Sequence, residues 1–206
     1  LVIIPGTKST IRDLEFLKSH GIDETLKEAI SRGVPLMGIC GGYQMLGESL
    51  RDHNSVESDI KETSGLGFLP ISTDFDTQKT TTQVVARQVG PIFGEVMTKE
   101  PLWGYEIHMG NTEVPSGHVF TGQRLATGDP LSDGMSSSLV SGTYLHGIFE
   151  NDPFRVSLIN FLRRKKGLPE RPLKVSYRRL REEVLDRVTD LVTGAMDMGF
   201  VESLVE

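Results

Sequence analysis

Apolar and polar positions along the chain change rhythm several times. Residues 1–4, Leu-Val-Ile-Ile, form an unbroken apolar run ended by Pro5 and Gly6, the pattern of a strand buried on both faces of a sheet. Behind Ser9, a residue suited to capping, Ile11, Leu14 and Leu17 recur at helical spacing as far as Gly21. A second helix is predicted over 23–31 with Gly33 as its stop, and residues 34–39 read as another buried strand. After Cys40, Gly41 and Gly42 a third helix is predicted over 43–50. Strand, helix, strand, sharp turn, helix is the grammar of a parallel sheet.

The middle of the chain reads differently. Residues 51–63 are polar without periodicity and are predicted as a loop. Short extended runs follow at 68–72, 81–88, 105–113, 119–125 and 138–141, separated by Gly, Pro and Asp. They predict antiparallel or mixed strands inserted in, or added to, the parallel sheet. A helix over 153–166 starts with Pro153 near its first turn. Over 177–196, Leu180, Val184, Leu185, Val188, Leu191 and Val192 mark an amphipathic helix.

Composition narrows the class. Lys and Arg number 22 against 28 Asp and Glu, a net charge of −6. That balance argues against sequence-independent nucleic-acid binding and against attraction to anionic membranes. No apolar run is long enough to span a bilayer, and the N-terminus lacks the basic segment and cleavage site of a signal peptide. A single cysteine excludes an intramolecular disulfide and fits a reducing, cytoplasmic compartment. A chain that starts inside a strand without Met is expected of a piece cut from a longer protein.

The sharpest chemical signal is Gly38-Ile39-Cys40-Gly41-Gly42, between a buried strand and a helix. Small neighbours let a nucleophile sit in a strained turn with its side chain clear of the sheet. The helix N-terminus would favour the thiolate, and the Gly41 N–H would face an oxyanion. The plainer reading is a small buried hydrophobe at a strand end. Among the five histidines, His20 and His53 read as solvated surface residues. His146 lies where a strand runs into a loop, either as a proton shuttle or as a satisfied core residue. Alternation puts Glu106 and His108 on one strand face, where they would bind a polar ligand or pair with each other. Pro5-Gly6-Thr7-Lys8 offers further N–H donors but matches no P-loop, and no Cys/His spacing suits a metal. Arg163-Arg164-Lys165-Lys166 reads as a solvated helix end.

Residues 38–47, Gly-Ile-Cys-Gly-Gly-Tyr-Gln-Met-Leu-Gly, resemble the nucleophile elbow of class I glutamine amidotransferases. Pro5-Gly6-Thr7-Lys8, Gly65-Leu66-Gly67, Lys79-Thr80, the segment 104–110 and Tyr144-Leu145-His146-Gly147 narrow the likeness. Together they are similar to the amidotransferase domains of the cobyric acid synthase family, the cobyrinic-acid-amidating branch, over roughly residues 1–165. The resemblance implies an α/β fold: a mixed, mainly parallel sheet flanked by helices, with the nucleophile elbow after a central strand. It implies an amidotransferase domain over 1–166 and a C-terminal helical extension over 167–206. An N-terminal ATP-dependent synthetase domain would lie outside this chain.

In that likeness Cys40 attacks the side-chain amide of glutamine, and the N–H groups of Gly41 and of the Gly6 turn hold the oxyanion. His146 protonates the leaving ammonia and then activates water. No cofactor is expected in this domain; ATP and Mg²⁺ belong to the synthetase domain. The partners implied are glutamine, that domain and a corrinoid, adenosylcobyrinic acid a,c-diamide, amidated to cobyric acid on the route to cobalamin. Other acceptors (cobyrinic acid itself, a cell-wall lipid precursor) and a catalytically silent interaction domain are the alternatives. Many class I amidotransferases carry a Glu two residues after the histidine. Here that position is Ile148, so a Cys–His dyad is expected, with Glu150 outside the catalytic set.

Overall fold

Leu36 and Met37 show why the second strand reads as continuously apolar. The structure, a computed structural model, describes residues 1–115 and 117–204. In it β2 (Leu36–Ile39) lies between β1 (Val2–Ile4) and β10 (Val140–Thr143), parallel to both, and β9 (Met135–Ser136) closes this four-stranded sheet antiparallel to β10. Leu36 packs into a core with Ile4, Ile11, Leu14 and Leu26; its neighbour Met37 packs into another with Phe154, Leu158 and Phe161. Both faces of β2 are therefore covered, as a parallel strand requires. Helices α1 (Thr10–Ser19) and α2 (Ile22–Ser31) supply Ile11, Leu14 and Leu26 to the first core. Helix α4 (Asp152–Lys165) supplies its phenylalanines to the second. Each fully buried side chain of this size contributes about 1.5–3 kcal/mol.

The expected Ser9 cap is not made. The α1 N-terminus is closed by the Glu57 carboxylate instead, which accepts from Thr10 N–H at 2.8 Å. Helix α3 (Gly41–Met45) is shorter than the helix predicted over 43–50. Leu66 N–H donates to the Met45 carbonyl at 2.8 Å, and residues 49–51 leave the helix as β3 (Ser49–Arg51). This strand pairs with β4 (Glu62–Ser64) and with β5 (Ser72–Gln88). The polar loop between β3 and β4 is ordered by buried Asp52, which accepts from Val56, Glu57 and Ser58 N–H at 2.6–2.9 Å. The strand predicted at 68–72 does not form before Ser72, because Phe68 and Leu69 N–H donate to the Leu46 carbonyl.

The second sheet has seven strands and is mostly antiparallel. Strand β5 pairs along most of its length with β6 (Leu102–Glu113), with a register shift between Asp74 and Lys79. It also pairs with β7 (Phe120–Arg124), which pairs in turn with β8 (Pro130–Asp133). Strand β11 (Leu145–His146) lies on the far side of β6. Among the described residues no helix is long and apolar enough to cross a membrane.

Residues 171–206 form a separate unit, with α5 (Tyr177–Ala195) and α6 (Met198–Ser203). The α5 N-terminus is capped by Ser176, and the pairs Arg178–Glu182 and Arg179–Glu183 support its first turns. The first compact unit runs from Leu1 to Glu170. Arg163 Nε donates to the Pro169 carbonyl at 2.6 Å and Arg164 pairs with Glu170, which ties those residues to the end of α4.

Candidate active site

Cys40 leaves β2 with φ 54° and ψ −114°, a conformation that non-glycine residues rarely hold and that costs about 1–3 kcal/mol. Its surroundings admit no larger neighbours. A Cβ on Gly42 would lie 2.1 Å from the Ile4 carbonyl oxygen, and one on Gly38 would lie 2.5 Å from the Gly42 oxygen. The turn therefore stacks backbone on backbone, and Cys40, half-buried, stands at the carboxyl edge of the parallel sheet.

His146 arrives from β11 in the other sheet. Its Nε2 lies 3.3 Å from the Ile107 carbonyl oxygen, and the Cys40 thiol donates to the same oxygen at 3.1 Å. A carbonyl only accepts, so a hydrogen bond here places the imidazole proton on Nε2. Thiol and imidazole thus converge on one backbone acceptor of β6. For Nε2 to take the thiol proton, this shared contact must be exchanged.

All four residues singled out for the site lie together. A Cβ on Gly6 would be 3.3 Å from Cys40 Cβ and 3.5 Å from His146 Cε1. A Cβ on Gly41 would be 2.8 Å from Thr7 Cγ2 and 3.2 Å from Thr7 N. The 5–7 turn thus packs directly against the cysteine and the start of α3, and the Gly41 N–H hydrogen-bonds to Cys40.

The electrostatics correct one expectation. Burial pushes the Cys40 thiol above its ordinary range, and the nearby charges of Glu57 and Asp133 push the same way; the Gly41 N–H opposes them. Desolvation outweighs the end of a helix only five residues long. The resting group is the thiol, as its hydrogen bond to Ile107 requires.

Several residues at the site escaped sequence reasoning. Gln44, one turn after Cys40, is buried and donates through Nε2 to the Met109 carbonyl at 3.0 Å. Its Oε1 accepts from Thr10 Oγ1 at 3.2 Å, and that hydroxyl also reaches Glu57. The i+4 spacing from Cys40 was a readable signal for Gln44. Glu57 and Ile107 carried none, because one lies in a featureless loop and the other acts through its backbone.

Glu106 and His108 do pair, Oε1 to Nε2 at 3.0 Å. Arg124 completes the group with two hydrogen bonds to the Glu106 carboxylate at 2.6 and 2.8 Å. Although desolvation acts the other way, the His108 and Arg124 hydrogen bonds hold the Glu106 carboxyl down at about 2. The His108 ring stacks on Tyr144, centroids 4.0 Å apart. His20 and His53 are exposed. Among the described residues no three His, Cys, Asp or Glu side chains group as a metal site would require.

Fold and site define an α/β protein in which a strained cysteine and a histidine converge at the edge of a mainly parallel sheet. The chain belongs to the CobB/CobQ-like glutamine amidotransferase domain family, whose model matches residues 1–154. It is 41% identical over 214 residues to a cobyric acid synthase of Moorella thermoacetica, covering 100% of this chain and 41% of that protein. It is 42% identical over 203 residues to a cobyric acid synthase of Thermodesulfovibrio yellowstonii, covering 98% of this chain and 39% of that one. The chain therefore spans about two fifths of the length of the curated relatives it matches.

Proposed function

We propose that this chain is the glutaminase part of a longer cobyric acid synthase. It would release ammonia from glutamine for ATP-dependent amidation of the side-chain carboxylates of a corrinoid, adenosylcobyrinic acid a,c-diamide, to give cobyric acid. The observation that carries the reading is Cys40 in a strained strand-to-helix turn with His146 on the same backbone acceptor.

The glutamine amide displaces the Ile107 contact and sits over Cys40. Released from Ile107, the His146 imidazole shifts its proton to Nδ1, Nε2 takes the thiol proton, and the thiolate adds to the amide carbon. Backbone N–H groups of Gly41 and of the Gly6–Thr7 turn take up the charge on oxygen. His146 returns the proton to the departing nitrogen, the C–N bond breaks, and ammonia leaves behind a glutamyl thioester. A water deprotonated by His146 hydrolyses the thioester, releasing glutamate and the thiol. ATP and Mg²⁺ serve the amidation step. Both would be held by the remainder of the longer polypeptide. A cytoplasmic location is part of this reading, supported by a single cysteine that suits a reducing compartment.

The raised thiol and its engagement with Ile107 support slow hydrolysis by the chain on its own. The test is intact mass after incubation with a diazo-ketone glutamine analogue. One adduct is expected on the wild type, blocked by glutamine and absent from Cys40→Ser. An adduct that survives Cys40→Ser refutes the reading. So does the absence of any adduct on the intact polypeptide with ATP, which leaves a catalytically silent domain.

A further inference from the structure

Asp133 ends β8 in the antiparallel sheet, is only 4% exposed, and beyond its charge acting on the Cys40 thiol takes no part in the steps above. Burying a carboxylate is costly, and an apolar residue would fill the same volume more cheaply if packing were the only demand. The groups that face it are donors: the Thr143 hydroxyl, the Tyr144 N–H at 3.0 Å and the Gly134 N–H. Thr143 is itself fully buried and passes the constraint on in two directions. Its hydroxyl oxygen accepts from Leu145 N–H at 3.0 Å, and its carbonyl accepts from Cys40 N–H at 3.0 Å.

The chain changes sheets at this point. Strand β10 ends at Thr143 beside Cys40, and β11 begins at Leu145 and carries His146, so Tyr144 alone separates a strand of one sheet from a strand of the other. Any drift of residues 143–145 moves His146 relative to Cys40.

We propose that Asp133 is a positioning residue for glutamine hydrolysis: through Thr143 and Tyr144 it pins the crossover that holds His146 against Cys40. The proposal rests on the amidotransferase reading of these two residues. Thr143 is the transmitting group, so the pin needs a hydroxyl there and two acceptor oxygens at 133, one for Thr143 and one for Tyr144, of which Asn keeps only one.

The experiment measures glutamate release by the intact polypeptide with ATP and Mg²⁺, for Asp133→Asn, Thr143→Val, Thr143→Ser and Cys40→Ser. Asp133→Asn and Thr143→Val are expected to lower kcat about 10²-fold with KM for glutamine within about twofold. Thr143→Ser, which keeps the hydroxyl, is expected to restore kcat to within about threefold of the wild type. A KM–kcat split with rescue by serine is what general loosening would not produce. Wild-type kcat in Thr143→Val, an equal loss in Thr143→Ser, or a matching rise in KM overturns the assignment. If Asp133→Asn does not fold, the two Thr143 variants decide. Glutamine hydrolysis by Cys40→Ser would defeat the amidotransferase reading itself. An inactive Cys40→Ser beside a fully active Thr143→Val defeats only the role of Asp133.

Discussion

The two halves of the site are built by different means. The cysteine half is local: strand, turn and helix lie within residues 36–45, and the glycines around Cys40 fit because neighbouring backbone leaves no room for a side chain. The histidine half is assembled at long range. His146 depends on β11 finding β6, on Ile107 supplying an acceptor 39 residues away in sequence, and on Asp133 reaching the crossover from β8. The cysteine turn meets distant segments through backbone, the Ile4, Ile107 and Thr143 carbonyls, so side-chain changes elsewhere disturb it less than changes within. A long-range half has many points at which it can be loosened without being destroyed.

That contrast is sharpest where activity is lost but the thiol survives. His146→Ala is expected to slow glutamine hydrolysis by about 10²–10⁴-fold while iodoacetamide still alkylates Cys40, because the turn needs nothing from the histidine. Steady-state rates and the mass of the alkylated protein check both parts. Loss of alkylation together with hydrolysis would show that the two halves are not independent.

Gly42→Ala strikes the local half. Its methyl would lie 2.1 Å from the Ile4 carbonyl oxygen, and backbone atoms cannot step aside as a flexible side chain would. Destabilisation of about 3 kcal/mol is expected, at the upper end for overpacking, together with loss of labelling by the glutamine analogue. Denaturant unfolding measures it. A Gly42→Ala variant of wild-type stability would mean that the turn is less tightly stacked than its geometry requires.

Glu106→Gln loosens the long-range half at its base, because β6 carries both the Glu106–Arg124 pair and Ile107. A loss of about 1–3 kcal/mol is expected, moderate because Arg124 retains contact with water. The sign follows from the depressed acid: its carboxyl sits at about 2 when folded, below its usual 4.5. Its contribution is therefore complete above about pH 4.5 and fades as pH falls towards 2. Melting temperatures of wild type and variant should converge across that window. A difference that stays constant there would assign the effect to packing rather than charge.

Legibility followed the same division. The elements up to Cys40 were readable because apolar periodicity and glycine stops are local signals, and they appear as β1, α1, α2 and β2. The helix over 43–50 was misread because its apolar residues Leu46 and Leu50 keep a helical rhythm, whereas Leu50 is buried from a strand that pairs on both edges. Strand β8 was missed because Pro130 and its polar neighbours carry no alternation, yet β7 pairs with it and Asp133 ends it. Ser9 looked like a cap because capping residues are recognised by type, while Glu57 was close enough to replace it only after folding.

By itself, then, the sequence determined the buried strands β1 and β2, the strained cysteine turn and the candidate histidine, since each is written in residues a few positions apart. Tertiary structure decided that thiol and imidazole meet at the Ile107 carbonyl, that burial leaves Cys40 a thiol, and that a buried aspartate spans the sheets. These depend on distances between segments far apart in the chain and on exclusion of water, and neither exists until the two sheets have packed.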